Sequence, residues 1–390
     1  MKTKIIFLLA AGIFLFISCQ KDLVIQDEIL PVKKPAVEVE GTLVAEVIHS
    51  PSLEGNLLGD PAERNVNVYL PKSYYTYPKK RFPVIYYLHG IPAWENSLID
   101  SIPYNILEQV AGLEAPVDFP KEGFISWVNK LVDNEGMKEA IIVMPNAANK
   151  YAVSFYTNNE VQGNYEDYIV KDIVSYIDSK FRTIPHFNFR ALTGHSAGGY
   201  GALKLGMKHP HVFGRVAGLS PGQFPNETIY GMAQYMLAEN QMWESTGPSI
   251  PYYPEFPFKF VNNTVYSLAA AFLPNPDSLT YYVDIPFTYD DSNNPVLNED
   301  LMKKFNSNSL FALASEYKVG IRKLKTFYFD CGTKDDLFMW EPNLAFHQYL
   351  NQMHVKHEFD EYEGTHFSNM FDRLGRVWTE LSNDFPEKKY

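Results

Sequence analysis

The sequence predicts an α/β fold: a mostly parallel central sheet with helices on both faces, interrupted by one aromatic-rich insertion. Three observations point there. A short apolar run, Arg190–Thr193, leads into Gly194-His195-Ser196-Ala197-Gly198 and then into a stretch with helical spacing, Tyr200–Lys208. Phe82–Leu88 is apolar along its length, as a strand covered on both faces must be. Towards the carboxyl end, the strand-rich Lys325–Cys331, a helical stretch Glu341–Met353 and an extended run Val355–Tyr362 alternate in the manner of a βαβ unit.

At the amino terminus, Lys2 and Lys4 precede an apolar run, Ile5–Ile17, too short to span a bilayer comfortably. Residues 1–18 therefore read as an export signal and fall outside the fold. Ser18-Cys19 resembles a bacterial lipobox, and Gln20-Lys21-Asp22 is similar to the surface-export signals of Bacteroidota lipoproteins. The expectation is a mature chain that begins at Cys19 and is lipidated there, at the outer membrane or cell surface; a plainly cleaved, soluble periplasmic or secreted form is the alternative. Residues 19–40, with Leu30-Pro31, Lys34-Pro35 and several charges, read as a tether. The remaining residues, 41–390, are long for one domain, but their signature residues interdigitate in order, so one domain with an insertion is expected.

The only other cysteine is Cys331, which leaves no intramolecular disulfide; at a strand end it reads as a buried small apolar residue. Loss of the two signal lysines takes the formal net charge from −12 to −14. An acidic chain without basic tracts is a poor partner for nucleic acid or an anionic membrane, so membrane contact would come through the lipid alone.

Further along, Phe82–Leu88 runs into His89-Gly90-Ile91-Pro92. A turn at a strand end accounts for His-Gly by itself; beside a nucleophile it gains a second meaning, as a loop that donates a backbone N–H to an oxyanion. The Gly-x-Ser-x-Gly at 194–198 supplies the candidate nucleophile. Its strained turn needs flanking residues nearly free of side chains, and it lifts Ser196 to a helix N-terminus that favours developing negative charge. The pentapeptide alone is a weak signal, because Gly and Ser are common in loops; the strand before it and the helix after it give it weight.

A serine hydroxyl needs a base to take its proton and a third group to orient that base. Gly332-Thr333-Lys334-Asp335-Asp336 follows the strand ending at Cys331, and Glu363-Gly364-Thr365-His366 follows the run ending at Tyr362. Asp335 and His366 thus lie past the carboxyl ends of strands, where ligands bind in open α/β sheets. Asp336 competes with Asp335, and residue order alone favours neither. Among the other histidines, His195 is expected to point away from Ser196, His209 and His211 follow the elbow helix, and His354 and His357 open the last strand. The last two suggest a metal pair, but no third ligand lies at fitting spacing, and neither metal nor cofactor is expected.

With these residues in place, the chain resembles the esterase D-type branch of the α/β hydrolases. That branch includes feruloyl and acetyl esterases, S-formylglutathione hydrolases, enterobactin-type esterases and mycolyltransferases. The resemblance covers most of residues 45–375. It runs through Asn67-Val68-Tyr69-Leu70-Pro71, Tyr86-Tyr87-Leu88-His89-Gly90, Val143-Met144-Pro145-Asn146, the helix from Tyr165 to Phe181, the elbow, and Asp330-Cys331-Gly332-Thr333. It implies an α/β-hydrolase fold with Ser196 as nucleophile, Asp335 as acid, His366 as base and the N–H groups of Ile91 and Ala197 as oxyanion hole.

The insertion, about 223–324, would follow the sixth strand. Phe224–Tyr289 holds fifteen aromatic residues, many prolines, and no sustained periodicity beyond short helical candidates near Ile229–Asn240 and Asn298–Tyr317. Such a segment can act as a cap whose rings stack on a sugar or aromatic acyl group, or the rings can simply pack it to the body. The combined expectation is an exported serine ester hydrolase acting on small-molecule or oligosaccharide esters of acetyl or feruloyl type. An acyltransferase of the same fold and a non-catalytic glycan-binding surface lipoprotein are the alternatives.

Overall fold

The structure, a computed structural model, describes residues 40–91, 93–102, 105, 117–242, 259–279 and 281–387. The expected export signal, Cys19, nearly all of the expected tether and the Pro251–Phe258 run lie outside them. Eight strands form the central sheet: β1 Thr42–His49, β2 Glu63–Leu70, β3 Val84–Leu88, β4 Ile141–Pro145, β5 Arg190–His195, β6 Arg215–Leu219, β7 Thr326–Gly332 and β8 Glu358–Tyr362. Their spatial order is 1-2-4-3-5-6-7-8. Only β2 pairs antiparallel, with β1 and β4; every other pairing is parallel, giving the α/β-hydrolase sheet.

The period-two geometry of a strand explains the two cores. Along β3, Val84, Tyr86 and Leu88 enter one apolar cluster, while Ile85 and Tyr87 enter the other. The second face is covered by α1 (Phe124–Asn134), through Trp127 and Leu131, and by the C-terminal helix, through Leu374 and Trp378. On the first face lie α2 (Val174–Lys180), which continues a π-helical stretch over Tyr168–Ile173, and α3 (Ala197–Lys208), which follows the elbow. β5 runs between β3 and β6 with all six residues buried, so whatever follows it emerges at the middle of the sheet's carboxyl edge.

The segment expected to be an insertion, 223–324, contains α4 (Asn226–Met242), α5 (Phe260–Phe272), a short hairpin pairing Phe287–Tyr289 with Pro295–Leu297, α6 (Glu299–Asn306) and α7 (Leu310–Glu316). Two sequence expectations fail here. Asn298–Tyr317 is two helices, because the Asn298 and Ser309 side chains each cap a separate start, accepting N–H bonds from Leu301 and Ala312. And α5, absent from the sequence reading, is helical without amphipathic spacing because eleven of its thirteen residues are buried.

β7 then leads through α8 (Trp340–Gln352) to β8, and α9 (Met370–Asn383) closes the chain. His354 and His357 do not open the last strand. They sit in the turn before it, where His354 adopts φ 53° and the Val355 N–H returns to Leu350 O. His357 Nε2 faces His347 Nδ1 at 2.8 Å, and among the described residues no group of three or more His, Cys, Asp or Glu could hold a metal ion.

Candidate active site

At the end of β5, Ser196 takes φ 59° and ψ −122°, a conformation that costs a non-glycine residue roughly 1–3 kcal/mol and persists only where its surroundings hold it. Three backbone bonds do so. Ser196 N–H donates to Leu219 O at 2.9 Å, while Ser196 O accepts from Tyr200 N and Gly222 N, each at 3.0 Å. The flanking glycines allow the closeness: a Cβ on Gly198 would run into Leu88 O, and one on Gly194 into Gly198 O. Across the cleft a Cβ on Gly90 would stand 2.9 Å from Ser196 Cβ. The His89-Gly90 loop is therefore in contact with the serine.

That loop is fixed from both sides of Gly90. Tyr156 OH donates to His89 O at 2.7 Å, and the His89 ring donates from Nδ1 to Gly90 O at 3.0 Å while accepting Ala147 N–H at Nε2. These two bonds select one neutral tautomer, and burial pushes the His89 pKa down to about 4. In a trans amide the N–H points opposite its carbonyl, so the Ile91 N–H is directed away from the His89 ring. Ala197 opens α3, so its N–H has no partner within the helix.

The two carboxylates that sequence order leaves open are separated by geometry. Asp335 Oδ2 accepts from His366 Nδ1 at 2.7 Å, and both side chains are fully buried. Its other oxygen accepts the N–H groups of Leu337 and Met339 at 3.0 and 3.3 Å, and the Cys331 thiol reaches Oδ2 at 3.7 Å. Burial alone would raise the Asp335 pKa, but His366, by charge and hydrogen bond, together with the two N–H donors, holds it below the usual carboxylate range. Asp336 instead accepts the main-chain N–H of His366 at 3.1 Å. With Nδ1–H on Asp335, His366 Nε2 carries the lone pair; it is buried and makes no hydrogen bond among the described residues. Loose serine–histidine geometry of this kind is usual before substrate binds.

His195, the residue expected to turn away from Ser196, does something the sequence does not announce. Its Nε2–H donates to His366 O at 3.0 Å, with the two rings 4.8 Å apart. Arg373, paired with Asp330 at 2.8 Å, reaches the same carbonyl at 3.5 Å. The loop bearing His366 is thus attached to the residue preceding Ser196. Burial drives the His195 pKa well below its ordinary value, so the ring stays neutral. The signal available in the sequence was a histidine in the elbow itself, without any hint of its partner 171 residues away.

A strained serine at the centre of the sheet, with a buried His–Asp pair on the loops after β7 and β8, defines an α/β-hydrolase-fold protein with a Ser–His–Asp constellation. The chain belongs to the family described as "Putative esterase", whose profile matches residues 61–380. Over 148 residues, 37% of this chain, it is 29% identical to an esterase of Mycobacterium tuberculosis, a stretch amounting to 26% of that relative. The chain therefore spans about a quarter of the length of the curated relatives it matches. Among solved structures, a ferulic acid esterase superposes with TM-score 0.56 at 19% identity, covering 89% of this chain and 99% of that one. An S-formylglutathione hydrolase of Staphylococcus aureus gives 0.52 at 17%, covering 88% and 100%. A substrate-bound, fluorophosphonate-binding serine hydrolase of Staphylococcus aureus gives 0.53 at 18%, covering 88% and 99%. At these identities the structural likeness is one of fold.

Proposed function

We propose that this chain is an exported serine ester hydrolase that works through an acyl-enzyme. The observation that carries the proposal is the buried, unbonded Nε2 of His366, held as a proton acceptor by Asp335 on Nδ1 and tied through His195 to the strained serine. Ser196 Oγ attacks the ester carbonyl as His366 Nε2 takes its proton. The tetrahedral oxyanion is stabilised by the N–H groups of Ile91 and Ala197, each such donor being worth on the order of 10²–10³ in kcat. His366 then passes the proton to the departing alcohol, and water, activated by the same nitrogen, releases the acid. Asp335 stays ionised throughout and fixes the tautomer.

For the substrate we propose a carbohydrate-linked ester of acetyl or feruloyl type. Support comes from the aromatic insertion, whose rings suit sugar and aryl faces, and from the lipobox-like Ser18-Cys19, which suits an enzyme that meets polymers outside the cell. Lipid on Cys19 would provide the membrane attachment. A fluorophosphonate probe should label the full-length protein at Ser196, and Ser196→Ala should abolish labelling and reduce ester turnover by on the order of 10⁶ in kcat. A folded Ser196→Ala protein that keeps more than a tenth of the activity removes Ser196 as nucleophile. Glycan binding with no labelling and no turnover would favour the non-catalytic alternative; faster product release with added alcohol would favour the acyltransferase.

A further inference from the structure

Between the loop after β6 and the insertion lies a cavity of about 310 Å³, at the lower end of the range for small-molecule sites. Its position ties it to the nucleophile. Gly222, in its floor, donates its N–H to Ser196 O at 3.0 Å, and Tyr200, also in the floor, stands one helical turn beyond Ser196 in α3. The opposite wall, Phe305–Phe311 at the junction of α6 and α7, belongs to the insertion, so the cavity exists only because the insertion does.

The lining chemistry is selective. Five aromatic residues and four amide residues line the space, the Gln223 amide being already held by Pro342 O and Asn343 Oδ1, and among the described lining residues the only charged one is Glu227. With no Lys, Arg or His among the described lining residues, an anionic group would enter without a counter-charge from them and next to a carboxylate. A purely apolar ligand would leave the open donor and acceptor of the Asn226–Asn306 pair without use. Aromatic faces combined with neutral donor–acceptor groups fit a ring that is apolar on its C–H face and hydroxylated at its edge. The walls are also set before any ligand arrives. Asn306 Nδ2 donates to Asn226 Oδ1 at 2.9 Å, Tyr200 OH donates to Asn308 O at 2.7 Å, and Phe224 packs edge-on against Phe155 at 5.6 Å. The Asn226–Asn306 bond leaves the Nδ2 of one and the Oδ1 of the other for ligand hydroxyls.

We propose that this cavity is a subsite for a neutral sugar ring of the ester's alcohol part, with the rings of Phe224 and Phe311 as its apolar walls and the Asn226–Asn306 pair as its polar rim. The proposal rests on the ester hydrolase function, and its test separates the two. In Ser196→Ala protein, which cannot turn over, xylotriose and cellotriose are titrated by calorimetry against ferulic acid as the aryl, anionic comparison. Saturable binding of at least one trisaccharide, weakened at least about fivefold by Asn306→Ala or Phe311→Ala, is expected; ferulic acid should not compete. In the active enzyme the same substitutions should lower the ratio of kcat/KM on an acetylated or feruloylated oligosaccharide to that on 4-nitrophenyl acetate at least about tenfold. Phe311 also packs on Phe346 and Tyr349, so Asn306→Ala carries the test if Phe311→Ala does not fold. Two outcomes overturn the subsite: no saturable trisaccharide binding up to about 10 mM, or an unchanged efficiency ratio in both variants. Failure of fluorophosphonate labelling in the wild-type protein would strike the ester hydrolase function instead, and leaves the sugar titration able to stand or fall alone.

Discussion

Replacing Asp335 with Asn tests the site where its geometry is most constrained. Two backbone donors, Leu337 N–H and Met339 N–H, converge on Asp335 Oδ1 at 3.0 and 3.3 Å. In the Asn variant those donors hold the amide oxygen in place of Oδ1, which puts the amide NH₂ where Oδ2 now meets His366 Nδ1 at 2.7 Å. Two N–H groups cannot bond to each other, so the imidazole must adopt the other tautomer, with its proton on Nε2. That nitrogen can no longer take the serine proton. The loss of an orienting carboxylate by this route is worth about 10⁴ in kcat, or roughly 5.4 kcal/mol of transition-state stabilisation. Asp336→Asn keeps an acceptor for the His366 main-chain N–H and should stay within about threefold of wild type. Asp336→Ala loses one bond of about 1 kcal/mol, a factor of roughly five. Hydrolysis of 4-nitrophenyl acetate, normalised to sites titrated with a fluorophosphonate, gives kcat per competent enzyme. An Asp335→Asn protein that keeps more than a tenth of wild-type kcat, or an Asp336→Ala protein that is the more damaged of the two, would refute the assignment.

His195→Leu removes the donor to His366 O and should lower kcat about tenfold with KM little changed, while His195→Gln, which keeps an N–H, should recover most of it; a loss confined to melting temperature would mean the contact is structural only. Glu166 accepts from Lys208 and His209 at 2.6 and 2.8 Å; although burial raises its pKa, these partners and Lys204 bring it down to about 2. A depressed carboxylate stabilises the fold fully above its ordinary pKa near 4.5 and loses that contribution as pH falls through about 2, so Glu166→Gln should cost about 3 kcal/mol at pH 7 in urea unfolding and flatten the acid limb. Parallel stability curves for the two proteins between those pH values would contradict this. Cys19→Ala should shift the protein from the membrane to the soluble fraction with unchanged specific activity; mass spectrometry that finds a mature N-terminus at another residue would exclude lipidation there.

The parts of the fold legible in the sequence are those whose burial is uniform or regularly alternating. β3 reads as a strand because a parallel strand covered on both faces is apolar throughout, whereas β5 and β7 read as strands from the apolar and aromatic residues between their buried polar ones, Arg190, Thr193, His195 and Asp330. Helix α5 did not, for the converse reason: a helix buried all round has no polar face to give a 3.6-residue rhythm, and Asn262, Asn263, Thr264 and Ser267 are buried in it among the apolar residues. The edge strand β1 alternates only weakly, because most of its residues are half-buried or exposed and its pairing with β2 is antiparallel. The run expected to be extended from Val355 starts its strand only at Glu358, because three residues are spent on the turn out of α8.

The site divides along the same line, between what the chain fixes locally and what it fixes at a distance. Gly194, Ser196 and Gly198 are legible because their requirement is local: a strand must turn into a helix within two residues while Leu88 O passes close by. The choice between Asp335 and Asp336 is not, since adjacent loop residues diverge and only the positions of Leu337, Met339 and His366 decide which carboxylate receives the ring and which the main chain. His89 lies between the two cases. Its place after β3 is readable, yet the reason for a histidine appears only when Ala147 N–H and Gly90 O are seen on opposite nitrogens of one ring. A lysine there could donate to Gly90 O but has no acceptor for Ala147 N–H. The residue types the motif specifies are therefore those that solve a local steric problem. The residues that give the motif its geometry, His89, His195 and Asp336 among them, are specified by partners that only the folded sheet brings near.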